Sequence, residues 1–195
     1  MKITVDLIKK LREITGAGMM DCKRALAEAR GKQESAIKIL RKKGQKIAAE
    51  KQERRAGEGF IGAYVHNNGK IACLLKLYCE TDFVARNKEF QELARTLAMQ
   101  VLACGALYIK PEDVPAEKIK EEKEIICAQL KDEKKPAAIL EKIIAGKLKK
   151  YREEFSLLTQ PFFQNSEITV QEMLSEKILK LGEKIEIGGF VKLEI

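Results

Sequence analysis

Every second residue from Ile71 to Cys79 is apolar: Ile71, Cys73, Leu75, Leu77 and Cys79. A period of two puts all five on one face of an extended strand. The other face carries Lys76, and Glu80 follows, so one side is buried and the other only partly covered. Such a strand needs neighbours on its edges and a layer over its buried face. The upstream neighbour is the run at 58–65, returned through Asn67-Asn68-Gly69, whose Asn-Gly step is a hairpin signal. A third candidate lies at 184–195, where Ile185, Ile187, Val191, Leu193 and Ile195 are spaced for a strand. Gly188-Gly189 inside it predicts a bulge. The runs 58–65, 70–80 and 184–195 are therefore expected to form one antiparallel sheet with helices packed on it.

The covering helices are legible by their period. After Asn87, an N-cap residue type, one face carries Phe90, Leu93, Ala94, Leu97, Val101 and Cys104. Between strand and helix stands Thr81-Asp82-Phe83-Val84-Ala85-Arg86, a short junction with a carboxylate beside a large aromatic. Either Phe83 packs back onto the core and Asp82 opens a turn, or both face outward. Farther on, a charged helix begins near Ala116, with Ile119, Ile126 and Leu130 inward. Pro136 suits the first turn of another, which presents Leu140, Ile143, Ile144, Leu148 and Tyr151. Thr169-Val170-Gln171-Glu172 is a capping-box pattern opening a last helix through Ile178 and Leu181.

The first 44 residues read differently. Leu7, Ile8, Leu11 and Ile14 form one helical stripe, with Thr4 as N-cap. Cys22, Ala25, Leu26 and Ala29 form a second, stopped by Gly31. Ala36, Ile37 and Leu40 form a third, expected to end at Gly44. Met19 and Met20 open the second helix, where soft side chains either fill a small core or offer an adaptable contact surface. The fold class is α+β. A three-helix domain occupies 1–45, a charged and partly helical linker 46–57, and an α+β core 58–195.

Charge supports that division. Residues 1–56 hold 16 Lys or Arg against 7 Asp or Glu, while the remainder of the chain is nearly neutral. A basic module of this kind suits RNA or an acidic protein surface. Aromatic residues are absent from it, so no base-stacking platform exists there. A basic RNA-binding or ribosome-associated module remains the alternative reading, through phosphate contacts alone.

Several classes of chemistry find little support. Five cysteines without paired spacing and one histidine, His66 in a turn, make neither a zinc site nor a Cys-His pair. Cys22, Cys73 and Cys79 fall at apolar positions and read as buried free thiols. Gly57-Glu58-Gly59-Phe60-Ile61-Gly62 spells a dinucleotide motif, but it precedes a strand instead of following one. No phosphate-binding loop of the Walker type occurs. No apolar run approaches the roughly 18 residues of a membrane span, and the N-terminus lacks the apolar core of a leader. The expectation is a cytoplasmic protein without catalytic residues, cofactor or metal.

Longer motifs resolve what period and charge leave open. The stretch from Leu11 to Leu26, with Thr15-Gly16-Ala17-Gly18-Met19-Met20-Asp21-Cys22-Lys23-Arg24 at its centre, resembles the opening of the bacterial elongation factor Ts family. The resemblance continues through Ala36, Leu40-Arg41 and Gly44. It recurs in Thr81-Asp82-Phe83-Val84-Ala85 and in Gln160-Pro161-Phe162. It implies a guanine-nucleotide exchange factor for the GTPase elongation factor Tu, bound in GDP-loaded and nucleotide-free states. The N-terminal helices would form a ubiquitin-associated-like domain that touches the GTPase through Met19, Met20 and Lys23. Thr81, Asp82, Phe83 and Val84 would reach the nucleotide pocket and disturb its Mg²⁺. Neither nucleic acid nor membrane is implied as a direct partner. Longer family members carry two similar half-cores, so this shorter chain could supply the second by forming a homodimer.

Overall fold

The computed structural model describes residues 3–131 and 136–195. Met1 and Lys2, which open the expected first domain, lie outside the described residues. The chain divides into two compact units. The first holds residues up to Ala98 together with Gln171–Ile195, and the second holds Met99–Val170. Among the described residues no helix is long and apolar enough to cross a membrane.

In the first unit three N-terminal helices lead into a small antiparallel sheet packed with helices. α1 spans Val5–Thr15, and the Thr4 hydroxyl accepts the Leu7 amide at 3.4 Å as its N-cap. Gly16 ends it in the left-handed region at φ 67°. α2 spans Met19–Glu28 and α3 spans Gln33–Glu50. Ile8, Leu11, Cys22, Ala25, Leu26, Ala36 and Leu40 close into one core between them. Ile14, expected on the inward stripe of α1, is 56% exposed. The stripe turns away at the last helical turn, just before the Gly16 cap.

α3 does not stop at Gly44. It runs on through the charged stretch to Glu50, and Gly44 is buried within it. A Cβ there would stand 3.1 Å from the Ser175 carbonyl oxygen, so this glycine permits close approach instead of ending a helix.

The sheet has the expected membership. β1 (Glu58–Val65), β2 (Ile71–Cys79) and β5 (Glu186–Glu194) lie in the order β1-β2-β5, antiparallel throughout. The register of β2 against β5 slips between Lys76 and Leu77, where Gly188 is the extra residue, so the predicted bulge is present. Cys73, Leu75, Leu77 and Cys79 are all buried. α5 (Lys88–Ala103) covers that face with Phe90, Leu93, Ala94 and Leu97 buried. Contact is close at Gly62 of β1, where a Cβ would fall 2.3 Å from the backbone carbonyl of Ala94. This accounts for the last glycine of the false dinucleotide motif: it admits a helix, not a pyrophosphate.

α8 spans Val170–Leu181. Lys177 and Lys180 on it meet Glu89 at 2.6 and 2.7 Å. Burial pushes the Glu89 carboxyl up, but the two ammonium groups outweigh that and hold it below its ordinary value. Glu176, paired with Arg41 at 3.1 Å, goes the other way, because burial outweighs its partner and raises it.

The second unit contains α6 (Ala116–Gln129) and α7 (Ala137–Phe155), packed on each other, and a two-stranded ribbon of β3 (Pro161–Phe162) and β4 (Asn165–Thr169). The ribbon is too short to be read from period alone. Two buried glutamines hold the turn before it. Gln160 Nε2 donates to the carbonyls of Cys104 at 3.0 Å and Glu154 at 2.8 Å. Gln100 donates to the Pro161 carbonyl at 3.1 Å and accepts the Phe163 amide at 2.8 Å. The Gln160-Pro161-Phe162 motif is thus built into the packing, with Phe162 buried.

Two expected outcomes follow from this packing. Gly62→Ala should lower stability by about 1–3 kcal/mol, because the α5 backbone must retreat. Gly146→Ala on α7, where a Cβ meets nothing within 4 Å, should raise it by about 0.5–1 kcal/mol. Urea midpoints check both. Glu89→Gln tests the ion pairs. The native carboxylate is depressed, so its contribution is complete at neutral pH and fades as pH falls through the native value. The variant should be weaker by roughly 0.5–1 kcal/mol at pH 7, and the gap should close in the acid range below the ordinary carboxylate value.

Candidate functional site

The junction after β2 is a single helical turn, α4 (Asp82–Ala85), resting against β1 and β2. Four residues have no readable period, so the sequence gave no sign of a helix there. Ala85 is its one buried residue. Its carbonyl accepts the Gln91 side chain at 3.3 Å, which ties the end of the turn to α5. Asn87 then caps α5, with its Oδ1 accepting the Glu89 amide at 2.8 Å.

Phe83 stands 83% exposed, the most exposed aromatic among the large apolar residues that face solvent. The choice left open by periodicity is settled as geometry: the ring points out. Val84 beside it is half-buried and Thr81 is exposed. Asp82 pairs with Arg86 at 3.1 Å, both partly or largely exposed. An exposed pair of this kind is worth little and exchanges partners easily.

The neck of the turn is held from far along the chain. Glu183 Oε2 accepts the amides of Glu80 at 3.1 Å and Thr81 at 3.0 Å. Glu183 Oε1 accepts the Thr81 hydroxyl at 2.6 Å. In return Glu80 Oε1 accepts the Lys184 amide at 2.6 Å, and Oε2 accepts Arg54 at 3.3 Å. The Lys184 amide, with Arg54 after it, holds the Glu80 carboxyl below its ordinary value. Lys184 Nζ donates to the carbonyls of Gln52 and Arg54, and Lys51 donates to that of Gly182 at 2.6 Å. Glu183, Glu80 and Lys184 escape sequence reasoning because their partners lie about a hundred positions away.

Of the N-terminal candidates, Met19 packs partly against the core of α1–α3, while Met20 is 62% exposed and Lys23 is exposed. Met20 and Lys23, three apart, share one side of α2. Asp21 between them is engaged by Lys43 and, at 3.1 Å, by Arg24. Of the two methionines, Met19 is thus the partly buried one and Met20 the exposed one.

Cys22, Cys73 and Cys79 are buried thiols, and burial pushes Cys73 and Cys79 up to about 11. Cys79 donates to the Thr81 carbonyl at 3.2 Å and so serves the neck as a thiol. His66 sits exposed at the hairpin end, with Nδ1 3.1 Å from the Tyr64 hydroxyl. An open cleft of about 450 Å³ lies in the second unit among Cys104, Lys150, Glu153, Glu154, Thr159, Gln160 and Pro161, and includes none of the candidate residues.

Comparison with known proteins agrees with the motifs. The sequence model described as Elongation factor TS matches residues 5–195. The elongation factor Ts of Carboxydothermus hydrogenoformans is 52% identical over 193 residues, covering 99% of this chain and 89% of its own. That of Fervidobacterium nodosum is 50% identical, covering 100% and 99%. That of Thermotoga petrophila is 53% identical, covering 100% and 97%. A family match along almost the whole chain, with half of all residues shared, shows that the chain belongs to the elongation factor Ts family.

Proposed function

We propose that the chain is a guanine-nucleotide exchange factor for the GTPase elongation factor Tu, promoting GDP release during translation elongation in the cytoplasm. It makes and breaks no covalent bond of its own. The observation that carries the mechanism is Phe83, a large aromatic held 83% in solvent on a turn clamped at both ends.

An exchange factor binds the nucleotide-free GTPase more tightly than the GDP-bound one. By linkage, GDP weakens its binding by the same factor. α4 enters beside the nucleotide pocket. Phe83 wedges between packed elements of the GTPase, which shift in discrete steps because packed interiors do not deform smoothly. Asp82 leaves Arg86 for cationic neighbours of the displaced Mg²⁺. Thr81 and Val84 shape the sides of the wedge. Met20 and Lys23, with Met19 partly behind them, form a second contact on the N-terminal helices. The buried cluster that α1, α2 and α3 share supports reading residues 1–45 as a ubiquitin-associated-like domain, with 46–57 as linker and 58–195 as the core. The basic surface of this module suits an acidic face of the GTPase and speeds encounter.

A homodimer completes the proposal. The uncovered face of the sheet presents Ile61, Val65, Leu74, Val191 and Leu193, each 48–63% exposed, and Leu74 lies directly opposite Val191 in the register. A contiguous apolar patch on a sheet face calls for a cover. A second copy supplies one, and with it the second half-core.

Release of labelled GDP tests the wedge. Phe83→Ala should reduce the acceleration about tenfold or more, the usual weight of a central aromatic anchor, and Asp82→Ala with Phe83→Ala further. Undiminished exchange by a double variant that still binds the GTPase removes the wedge. For the dimer, Leu74→Lys with Val191→Lys should shift sedimentation from two copies to one while leaving circular dichroism unchanged. A monomeric native chain refutes that part alone.

A further inference from the structure

We infer that Glu183 is a positioning residue for exchange: it fixes the direction in which α4 presents Asp82 and Phe83. The inference rests on the wedge reading above.

A four-residue helix does not hold its own shape, since one turn orders several residues for a single hydrogen bond. Phe83 adds no packing to α4, and its far end is seated by buried Ala85 and half-buried Val84. Its N-terminal end, at Thr81, is held by side chains, of which the Cys79 thiol gives one bond, to the Thr81 carbonyl at 3.2 Å. A cap threonine ordinarily turns its hydroxyl back to the helix amides. Thr81 makes no such bond. Its hydroxyl donates instead to Glu183 Oε1 at 2.6 Å. The amides of Glu80 and Thr81 both donate to Glu183 Oε2. One side chain thus takes three donors from two successive residues, 102 and 103 positions away.

Only a carboxylate fits this place. It has two acceptor oxygens with room for about four donors, whereas an amide has one acceptor and adds two donors of its own. The 2.6 Å distance is that of a charge-assisted bond. Glu80 answers in kind, taking the Lys184 amide at 2.6 Å. Each carboxylate caps the backbone beside the other, which joins the end of β2 to the turn between α8 and β5. Lys51 and Lys184 fasten that turn to the residues after α3. The carboxylate pair resists rotation of α4 about its neck. A wedge free to rotate would yield to the GTPase instead of displacing its elements.

The test compares Glu183→Gln, Glu80→Gln and Phe83→Ala with the native chain in GDP release at increasing factor concentration. Glu183→Gln should lower the maximal rate about tenfold, the rate equivalent of one lost charge-assisted hydrogen bond, and change the half-saturating concentration less than about twofold. In the free chain, amide hydrogen exchange should quicken at Thr81 and Arg86 and stay unchanged along α5. A purely structural role would instead speed exchange throughout the first unit. Should Glu183→Gln fail to fold, Glu80→Gln examines the lock from its other half, with the same fall in maximal rate expected. A native maximal rate in the folded variants, with Phe83→Ala impaired, overturns the inference and leaves the wedge standing. A native rate for Phe83→Ala overturns the wedge and the inference with it.

Discussion

The central strand of the sheet, β2, sets the terms for everything in the first unit. It is hydrogen-bonded on both edges, and its alternation buries Cys73, Leu75, Leu77 and Cys79 on one face, with Ile71 half-buried at its start. That face demands a helix close above it, and Gly62 lets α5 approach to backbone contact. Once α5 is seated, only a short span joins its start to the end of β2. The chain turns sharply there, at the end of the central strand, with Ala85 buried and Phe83 left in solvent. An exposed phenylalanine at that point is a consequence of the geometry before it is a tool. On the wedge reading, exchange uses a place where the fold already presents a projection.

An exchange factor differs from an enzyme in where its free energy is applied. It neither activates a nucleophile nor stabilises a transition-state charge. It only makes one ligand's binding oppose another's. The demands on its residues are accordingly mechanical: surface to dock, a projection to intrude, stiffness behind the projection. In the proposed mechanism the basic N-terminal helices, Phe83 and the paired carboxylates at Glu80 and Glu183 answer those three demands in turn. Buried thiols pushed up to about 11 fit the same account, since they serve as packing and weak donors and not as reagents.

Much of this was legible in the sequence. Period-two runs located all three strands of the main sheet, the paired glycines located the bulge, and period-3.6 stripes located the longer helices. Thr4 and Asn87 announced their caps. What escaped was whatever lacks a period or depends on distant partners. α4 and the β3–β4 ribbon are shorter than any repeat. Gly44 reads as a stop by local rules, but the Ser175 backbone packed against it makes it a contact point inside α3. Ile14 belongs to the stripe by spacing and leaves the core because the helix ends beside it. The direction of Phe83 could not be read, because an aromatic after a buried strand is compatible with either side. Family motifs singled out the residues, and the geometry supplied the direction.

The distance along the chain between Thr81 and Glu183 has a consequence for synthesis. Residues 81–84 leave the ribosome about a hundred residues before the carboxylate that steadies them, and before the strand that completes the sheet beneath them. At ordinary translation speeds that interval is roughly 5–20 s. Throughout it the neck below Phe83 lacks the three hydrogen bonds that Glu183 accepts. On the wedge reading, a half-made copy would have the projecting ring but not the carboxylate behind it.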